Sequence, residues 1–522
     1  MKTAKTYKWI AIGLFCLLLI RFGRGVFATG DSAYEQIRRF ITVLNAVREY
    51  YVEKVSPRKL VDGAIIGMLE QLDPHSIYLS PKQVQQFKEE FEGDFSGIGI
   101  EFIIRDNYPV VVTPIPNTPA ERLGIRPGDK ILKINGMSCF GLKENELRYQ
   151  LRGEIGTIVR LTIQRTGMAE PLEFTISRDR IPVHSVQTYF MLNHKIGYLH
   201  LSRFSKTTDE EVEHALCDLE NQGMKKLIFD LRFNSGGYLE QAVKVADKFL
   251  SGGKKIVYTR GRVATINEEY YSTSYHTHPN YPLVILINHG TASAAEVVAG
   301  AIQDWDRGVI VGETSFGKGL VQNQIPLNDG SAIRITVGRY YTPSGRLIQR
   351  PFDHNVTKYY TTTVENSKVA GHQRRVFSTF SGRKVYGGGG ITPDVKIQSP
   401  KITTTTAKLI ANRSFFEFAN QYAPSIKKKY SSFKDFVQFF KLDNILLQQF
   451  LLFLENKHYS FNYKEIIADK AYILGEIKSE VARQLWGSNA YFKIRVLNDL
   501  QVKKALTAFP LAEKLAALES GR

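Results

Sequence analysis

Five consecutive apolar residues, Leu283-Val284-Ile285-Leu286-Ile287, run into Asn288-His289-Gly290-Thr291-Ala292-Ser293 and then into a helical stretch over residues 294–303. An apolar strand running into a tight small-residue turn and then a helix is one unit of a strand–helix alternation. The same order recurs at residues 227–231 followed by residues 239–250. Residues 195–400 therefore predict a mixed α/β core.

The rest of the chain has other textures. Ile37, Phe40, Ile41, Leu44, Val47 and Tyr51 recur at helical spacing. A second periodic stretch, residues 60–72, ends at Asp73-Pro74, where proline disfavours helix in the preceding residue. Between residues 95 and 180, short β-like runs such as Val110-Val111-Val112 alternate with turns such as Pro127-Gly128-Asp129 and Asn135-Gly136. Residues 351–386 are polar and read as a surface excursion. Beyond Pro400 the pattern is helical again, with Leu446, Phe450, Phe453 and Leu454 on one face. The expected organisation is a mixed α/β multidomain chain. It has an address segment (1–28), a helical N-terminal region (29–92), a β-rich module (93–182), an α/β core (183–400) and a helical C-terminal extension (401–522).

Composition narrows the function classes. With 522 residues, 43% hydrophobic and 23% charged, the chain is neither disordered, collagen-like nor a polytopic membrane protein. Three cysteines, Cys16, Cys139 and Cys217, cannot build a disulfide scaffold or a four-ligand zinc site, and at most Cys139 and Cys217 could pair. The net charge of +18 is spread along the sequence, although residues 401–522 hold 19 basic against 11 acidic residues. No zinc-finger spacing or aromatic-basic RNA signature accompanies it, so no nucleic acid is expected as partner. An anionic membrane surface suits the charge better.

Lys2, Lys5 and Lys8 precede the apolar stretch 9–20. That stretch spans about 18 Å as a helix, short of the roughly 30 Å hydrocarbon core, and has the pattern of a secretory signal. Val26-Phe27-Ala28 offers small residues for cleavage, but Arg21 and Arg24 intervene. A cleaved signal, a retained anchor and a buried helix stay open. Either of the first two puts the bulk of the chain outside the cytoplasm, in the periplasm or on the extracytoplasmic face of the membrane.

Three segments carry chemistry. In His289-Gly290-Thr291-Ala292-Ser293-Ala294-Ala295-Glu296 a helix begins at the serine. Ser-x-x-Glu is a capping box, which is one reading of Ser293. The small residues also permit close approach of a substrate, and the N–H after Ser293 could face an oxyanion, which is the other. Lys318 stands between Gly317 and Gly319, with Gln322 four residues on. Glycines suit a tightly packed lysine, and desolvation is what a lysine base needs; an anion-binding or exposed lysine is the alternative. In Asp230-Leu231-Arg232-Phe233-Asn234-Ser235-Gly236-Gly237, Gly236 or Gly237 could present a second N–H to an oxyanion, or the pair is a plain turn.

Together these segments resemble the C-terminal processing (tail-specific) serine peptidases, over roughly residues 72–400. Leu72-Asp73-Pro74-His75-Ser76-Ile77-Tyr78, Phe95-Ser96-Gly97-Ile98-Gly99-Ile100, Pro119-Ala120-Glu121-Arg122-Leu123-Gly124-Ile125, Tyr341-Thr342-Pro343-Ser344-Gly345-Arg346 and Gly388-Gly389-Gly390-Ile391-Thr392-Pro393-Asp394 are also family-like. The resemblance implies that residues 93–182 are a PDZ domain, β-sandwich-like, and that the core has the tail-specific protease fold. It implies an exported serine endopeptidase that needs no metal or cofactor. Ser293 would be the nucleophile, Lys318 the general base and Gln322 the residue orienting it. The N–H groups of Ala294 and of Gly236 or Gly237 would form the oxyanion hole. Gly97, Ile98 and Gly99 would capture a substrate carboxylate, with the tail adding as a strand beside residues 95–100. Arg152 falls where family members place an arginine linked to activation.

Its substrates would be unfolded proteins or proteins with exposed C-termini. The reading leaves room for an adaptor or activating peptide, for membrane association through the N-terminus and for a homo-oligomer. Thr291, Ala295 and Ser235 depart from the family pattern, and the last would loosen the glycine turn where a proline is usual. A catalytically silent PDZ scaffold and a hydrolase using His289 are the competing readings.

Overall fold

The computed structural model describes residues 33–275, 278–361 and 374–520. The segment read as a signal or anchor, residues 1–28, lies outside them. The α/β core is a six-stranded sheet in the order Val186–Met191, Ile196–Leu201, Lys226–Asp230, Leu283–Ile287, Val309–Gly312, Val395–Lys396. Its first pair is antiparallel and the others are parallel. Leu283–Ile287 lies inside the sheet and is buried at every position, as its unbroken apolar run requires.

Both faces are covered. Helices Thr208–Asn221, Leu239–Asp247 and Ala294–Asp304 pack Val212, Leu216, Val245 and Val298 against Leu227 and Ile285. The opposite face, with Ile228, Val284, Leu286 and Val309, is closed by Val496, Val502, Phe509 and Leu515 from the last helices. Three neighbouring parallel strands, Lys226–Asp230, Leu283–Ile287 and Val309–Gly312, end at the same edge of the sheet. The three motif-bearing loops of the sequence leave from those ends, so the topology alone brings them together.

The β-rich module is a second six-stranded sheet, beginning at its edge with Ile100–Arg105 and continuing through Tyr108–Pro114, Lys130–Ile134, Ile158–Gln164 and Leu172–Ser177, with the short Met137–Ser138 also paired to Lys130–Ile134. It closes with helix Glu144–Leu151 around Val111, Ile131, Leu161 and Ile163. A stem joins it to the core, Asp94–Gly97 running antiparallel to Asp179–Pro182. This changes one expectation. Residues 95–97 are already paired within the stem, so the open edge of the module is Ile100–Arg105.

The helical extension has two parts. Helices between residues 404 and 486 form a bundle around Phe418, Phe436, Phe450, Ile473 and Ile477. Helix Ser488–Asn498 bridges the two, giving Ala490 and Ile494 to the bundle and Val496 to the sheet, and the helices from Leu500 onward cover the sheet. Residues 374–386 are likewise no loose excursion. Arg383 pairs with Asp306 at 2.6 Å and with Asp394 at 2.8 Å, and Phe380 packs on Trp305. Cys139 is buried, Cys217 is exposed, and both are free thiols, so the one pairing the sequence allowed is not formed.

Among the described residues, 33–78 with Ile333–Ile335 form a separate unit. Its helices, Ala33–Tyr50 and Pro57–Glu70, follow the periodicity. Asp73 ends the second stretch by accepting from the His75 N–H and the Ser76 hydroxyl, both at 2.9 Å. No helix among the described residues is long and apolar enough to cross a membrane.

The covered outer face gives a stability test. Phe509 is 3% exposed and packs where the sheet would otherwise meet water. Phe509→Ala is expected to cost about 3–5 kcal/mol, the usual range for emptying a buried aromatic site. Denaturant unfolding checks this, and an unshifted midpoint would mean that the face does not depend on these helices.

Candidate active site

Ser293 stands at φ 55° and ψ −118°. Non-glycine residues rarely adopt positive φ, and they keep it only where the surroundings impose it. Two asparagines supply that constraint. Asn234 donates to the Leu201 carbonyl, accepts from the Gly236 N–H and, through its own carbonyl, accepts from the Ala292 N–H, each at 2.9 Å. The Asn288 side chain accepts from the N–H groups of Phe233 at 2.9 Å and Gly290 at 3.1 Å. Thr291 donates its hydroxyl to the Leu231 carbonyl at 2.8 Å and accepts from the Asn288 N–H at 2.9 Å. A serine would make the same two bonds, which accounts for threonine in that place.

The capping reading of Ser293 is half right. The Glu296 carboxylate accepts from the Ser293 N–H at 2.8 Å, but the serine hydroxyl makes no cap hydrogen bond. The N–H of Glu296 goes to the Ser293 carbonyl instead, at 2.8 Å. Glu296 also does more than cap. Its Oε2 accepts from the Lys318 N–H at 2.8 Å, and its Oε1 accepts from the Gly317 N–H at 2.7 Å and the Ser315 hydroxyl at 2.5 Å. One buried carboxylate thus joins the serine turn to the lysine segment. Burial pushes its pKa up to about 7, against hydrogen bonds from Ser315, Lys318, Ser293 and Gly317 that favour the ionised form. A second tie is the buried Tyr340 hydroxyl, which meets the carbonyls of Ser293, at 3.0 Å, and Lys318.

Both glycines beside Lys318 are required by space. Gly317 has φ +90°, and a Cβ there would lie 2.7 Å from the Gly390 nitrogen. A Cβ on Gly319 would lie 2.9 Å from the Gln349 nitrogen. So held, Lys318 directs Nζ to Oε1 of Gln322 at 2.8 Å.

A Cβ on Gly236 would lie 2.7 Å from that of Ser293 and 3.0 Å from the Ala294 nitrogen, which places this loop directly against the serine turn. The two glycines differ. The Gly236 N–H is spent on Asn234, whereas among the described residues the N–H groups of Gly237 and Ala294 meet no acceptor. His289 pairs with Glu313 at 3.2 Å, and among the described residues no histidine is hydrogen-bonded to Ser293.

A second site lies on the β-rich module. Gly97 pairs with Asp179 in the stem. The carbonyls of Ile98 and Gly99 accept from the N–H groups of Ala120 and Ile115, each at 2.9 Å. Their own N–H groups meet no acceptor among the described residues. Gly99 has φ +83°, and a Cβ there would collide with Thr118. Arg152 is ion-paired with Glu89 and lies 4.6 Å from the Phe95 ring centre, at the stem. Ser293, Lys318, Gln322, Ala294, Gly236 and Gly237 therefore share one place, and Gly97, Ile98, Gly99 and Arg152 another. Tyr340, Asn234, Asn288 and the joining role of Glu296 were not read from the sequence.

Comparison with known proteins places the chain in a family. The sequence model of Peptidase family S41 matches residues 195–357, and that of a PDZ domain matches residues 110–165. A carboxy-terminal-processing protease of Bartonella bacilliformis is 39% identical over an alignment of 357 positions that covers 66% of this chain and 81% of that protein. This chain belongs to the carboxy-terminal processing peptidases. The carboxy-terminal processing protease CtpA of Bacillus subtilis is 37% identical over 62% of this chain and 68% of its own length. Among solved structures, the photosystem II D1 C-terminal processing protease is 27% identical, with a TM-score of 0.36 over 69% of this chain and 92% of its own. Residues 27–83 match the N-terminal domain of the activating protease CtpB, and residues 404–487 match a family of unknown function, DUF8443. The chain is a serine-type peptidase carrying a PDZ domain.

In this carboxy-terminal processing peptidase, Glu296→Gln keeps the shape but turns an amide NH2, itself a donor, towards N–H groups that need an acceptor. A lowering of kcat/KM by about tenfold to hundredfold is expected, the scale of leaving buried donors unsatisfied. The pH dependence has a definite sign. The unfolded carboxyl ionises near 4.5 and the folded one at about 7. Stability held by that proton is therefore complete below the lower value and lost as pH rises through the higher. Unfolding measured from about pH 5 to about pH 8 should show the unmodified protein losing stability relative to Glu296→Gln. A constant gap would mean that Glu296 does not titrate in this range.

Proposed function

We propose that the protein is an exported endopeptidase that captures free C-terminal tails on its PDZ domain and cuts polypeptides with a Ser293/Lys318 dyad. One observation supports the dyad above others: Glu296 and Tyr340 tie the serine and lysine segments together while Lys318 Nζ rests on Gln322. In this reading neutral Lys318 takes the Ser293 proton as the oxygen attacks the scissile carbonyl. Gln322 orients the amine without adding a charge that would hold it protonated. The N–H groups of Ala294 and Gly237 receive the oxyanion, an assignment favoured over Gly236 by their lack of another acceptor. The intermediate collapses to an acyl-enzyme as the lysine ammonium protonates the departing amine. Water, deprotonated by the lysine in turn, then hydrolyses the ester.

The unbonded N–H groups of Ile98 and Gly99, beside Gly97, suit a terminal carboxylate, with the tail adding to the edge strand Ile100–Arg105. Arg152, held between Glu89 and Phe95, is placed to link occupancy of that loop to the stem. A lysine flank followed by a short apolar segment at residues 2–20 supports export to the extracytoplasmic side, with or without retention in the membrane.

The test compares the unmodified protein with Ser293→Ala and Lys318→Ala, on an unfolded substrate with an apolar free C-terminus and on its amidated twin. Cutting by the unmodified protein alone, faster on the free carboxylate, is expected. Cutting that survives either substitution would remove the dyad. Equal rates on the two substrates would remove tail capture.

A further inference from the structure

The helical extension meets the PDZ domain at the far end of its open strand. Ile100–Arg105 is the edge of its sheet, and helix Glu144–Leu151 lies beside it, Arg148 standing 5.7 Å from the Phe102 ring centre. A captured tail would start at Gly97–Gly99 and leave past Arg105. The Arg105 guanidinium is ion-paired with Glu417 of the bundle and donates to the Tyr459 hydroxyl at 2.9 Å. That hydroxyl reaches Glu417 at 3.0 Å, and Lys457 pairs with the other Glu417 oxygen at 3.0 Å. A second contact lies at the turn Pro127-Gly128-Asp129, where a Cβ on Gly128 would sit 2.3 Å from Oδ1 of Asn420. Glu417 and Asn420 lie one turn apart on helix Ser414–Lys427. The 128–129 turn is itself braced, Asp129 pairing with Arg165 at 2.7 Å.

The bundle is tied to the peptidase core at its other end. Glu476 of helix Lys470–Trp486 pairs with Arg495 of helix Ser488–Asn498 at 3.1 Å. Beyond it, Asp499 pairs with Arg232 at 2.8 Å, and Gln501 accepts from Arg232 at 2.7 Å. Arg232 sits on the loop that carries Gly236 and Gly237. Packed helices thus connect the tip of the tail-binding strand to the loop facing Ser293. The PDZ domain is held twice, by its stem and by this contact. A body joined by a stem alone can swing about it, and one held at two places cannot.

We propose that the helical extension is a gauge. By fixing the PDZ domain against the core, it sets how many residues separate a captured C-terminus from the bond cut at Ser293. The Arg105–Glu417–Tyr459 contact is the determinant. An extended chain advances about 3.3 Å per residue, so a PDZ domain free to shift by a few ångströms would move the cut by a residue or more. The gauge rests on the reading of Gly97–Gly99 as the tail site and Ser293 as the nucleophile.

The experiment uses the whole protein and the unfolded substrate with a free apolar C-terminus. Mass spectrometry reads the lengths of the C-terminal fragments released while most substrate is still intact. The unmodified protein is expected to give a narrow band of lengths. Glu417→Arg sets like charges beside Arg105 and Lys457, and should widen the band about twofold or more as the PDZ domain becomes a loose tether. Its turnover of a short peptide with an amidated end, which offers no tail, should change by less than about twofold. Adding Arg105→Glu restores an opposite-charge pair and should restore the band. Tyr459→Phe removes one hydroxyl with little threat to folding and should widen the band to a lesser degree.

An unchanged band in both Glu417→Arg and Tyr459→Phe overturns the gauge. So does a widening that the charge swap does not reverse. If the unmodified protein cuts the free and amidated substrates alike, tail capture fails and the gauge fails with it. Preference for the free tail with an unchanged band is the failure of the gauge alone.

Discussion

The Glu296 carboxylate accepts from donors on two separate loops, and the arrangement of both depends on that sharing. A serine turn at positive φ and a lysine between two glycines are each poor at holding their own shape. Four donors converging on one buried carboxylate give each loop the other as its support. Burial makes the arrangement demanding, because an ion that loses donors there cannot recover them from water. The Tyr340 hydroxyl repeats the tie on the carbonyl side, so neither segment can shift without breaking bonds to the other.

Sheet topology makes that sharing available. The loops bearing Gly237, Ser293 and Lys318 follow three adjacent parallel strands, so they meet at one edge whatever their sequence separation. The asparagines at 234 and 288 then fix the spacing between neighbouring loops. Thr291, which departs from the family pattern, makes the two hydrogen bonds that a serine would make there.

Much of this was legible in the sequence because its cause is local. The buried strand Leu283–Ile287 shows itself by having no polar alternate, and the helices by their spacing. The glycines around Lys318 announce a crowded backbone. What escaped depends on partners distant in the chain. Glu296 is accounted for by its own helix start, so nothing in the octet hints at Lys318 as a further partner. Tyr340 acts through a hydroxyl whose acceptors on Ser293 and Lys318 lie 47 and 22 residues before it in the chain. The pairing of Gly97 into a stem could be known only once Asp179 had come back to meet it. The extension looked uniform because a helix that packs on other helices and one that packs on a sheet have the same periodicity.

That last division bears on the order in which the protein comes into being. A chain emerging from its N-terminus carries the serine, the lysine and the glycine loops long before it carries Phe509 and Leu515. Until those residues arrive, Ile228, Val284 and Leu286 face water and Arg232 lacks Asp499. The loop that bears Gly236 and Gly237 is then without its outer brace. The three motif loops are made early and the scaffold that holds them is finished late, so the partly made chain carries them in a sheet still open to water on one side.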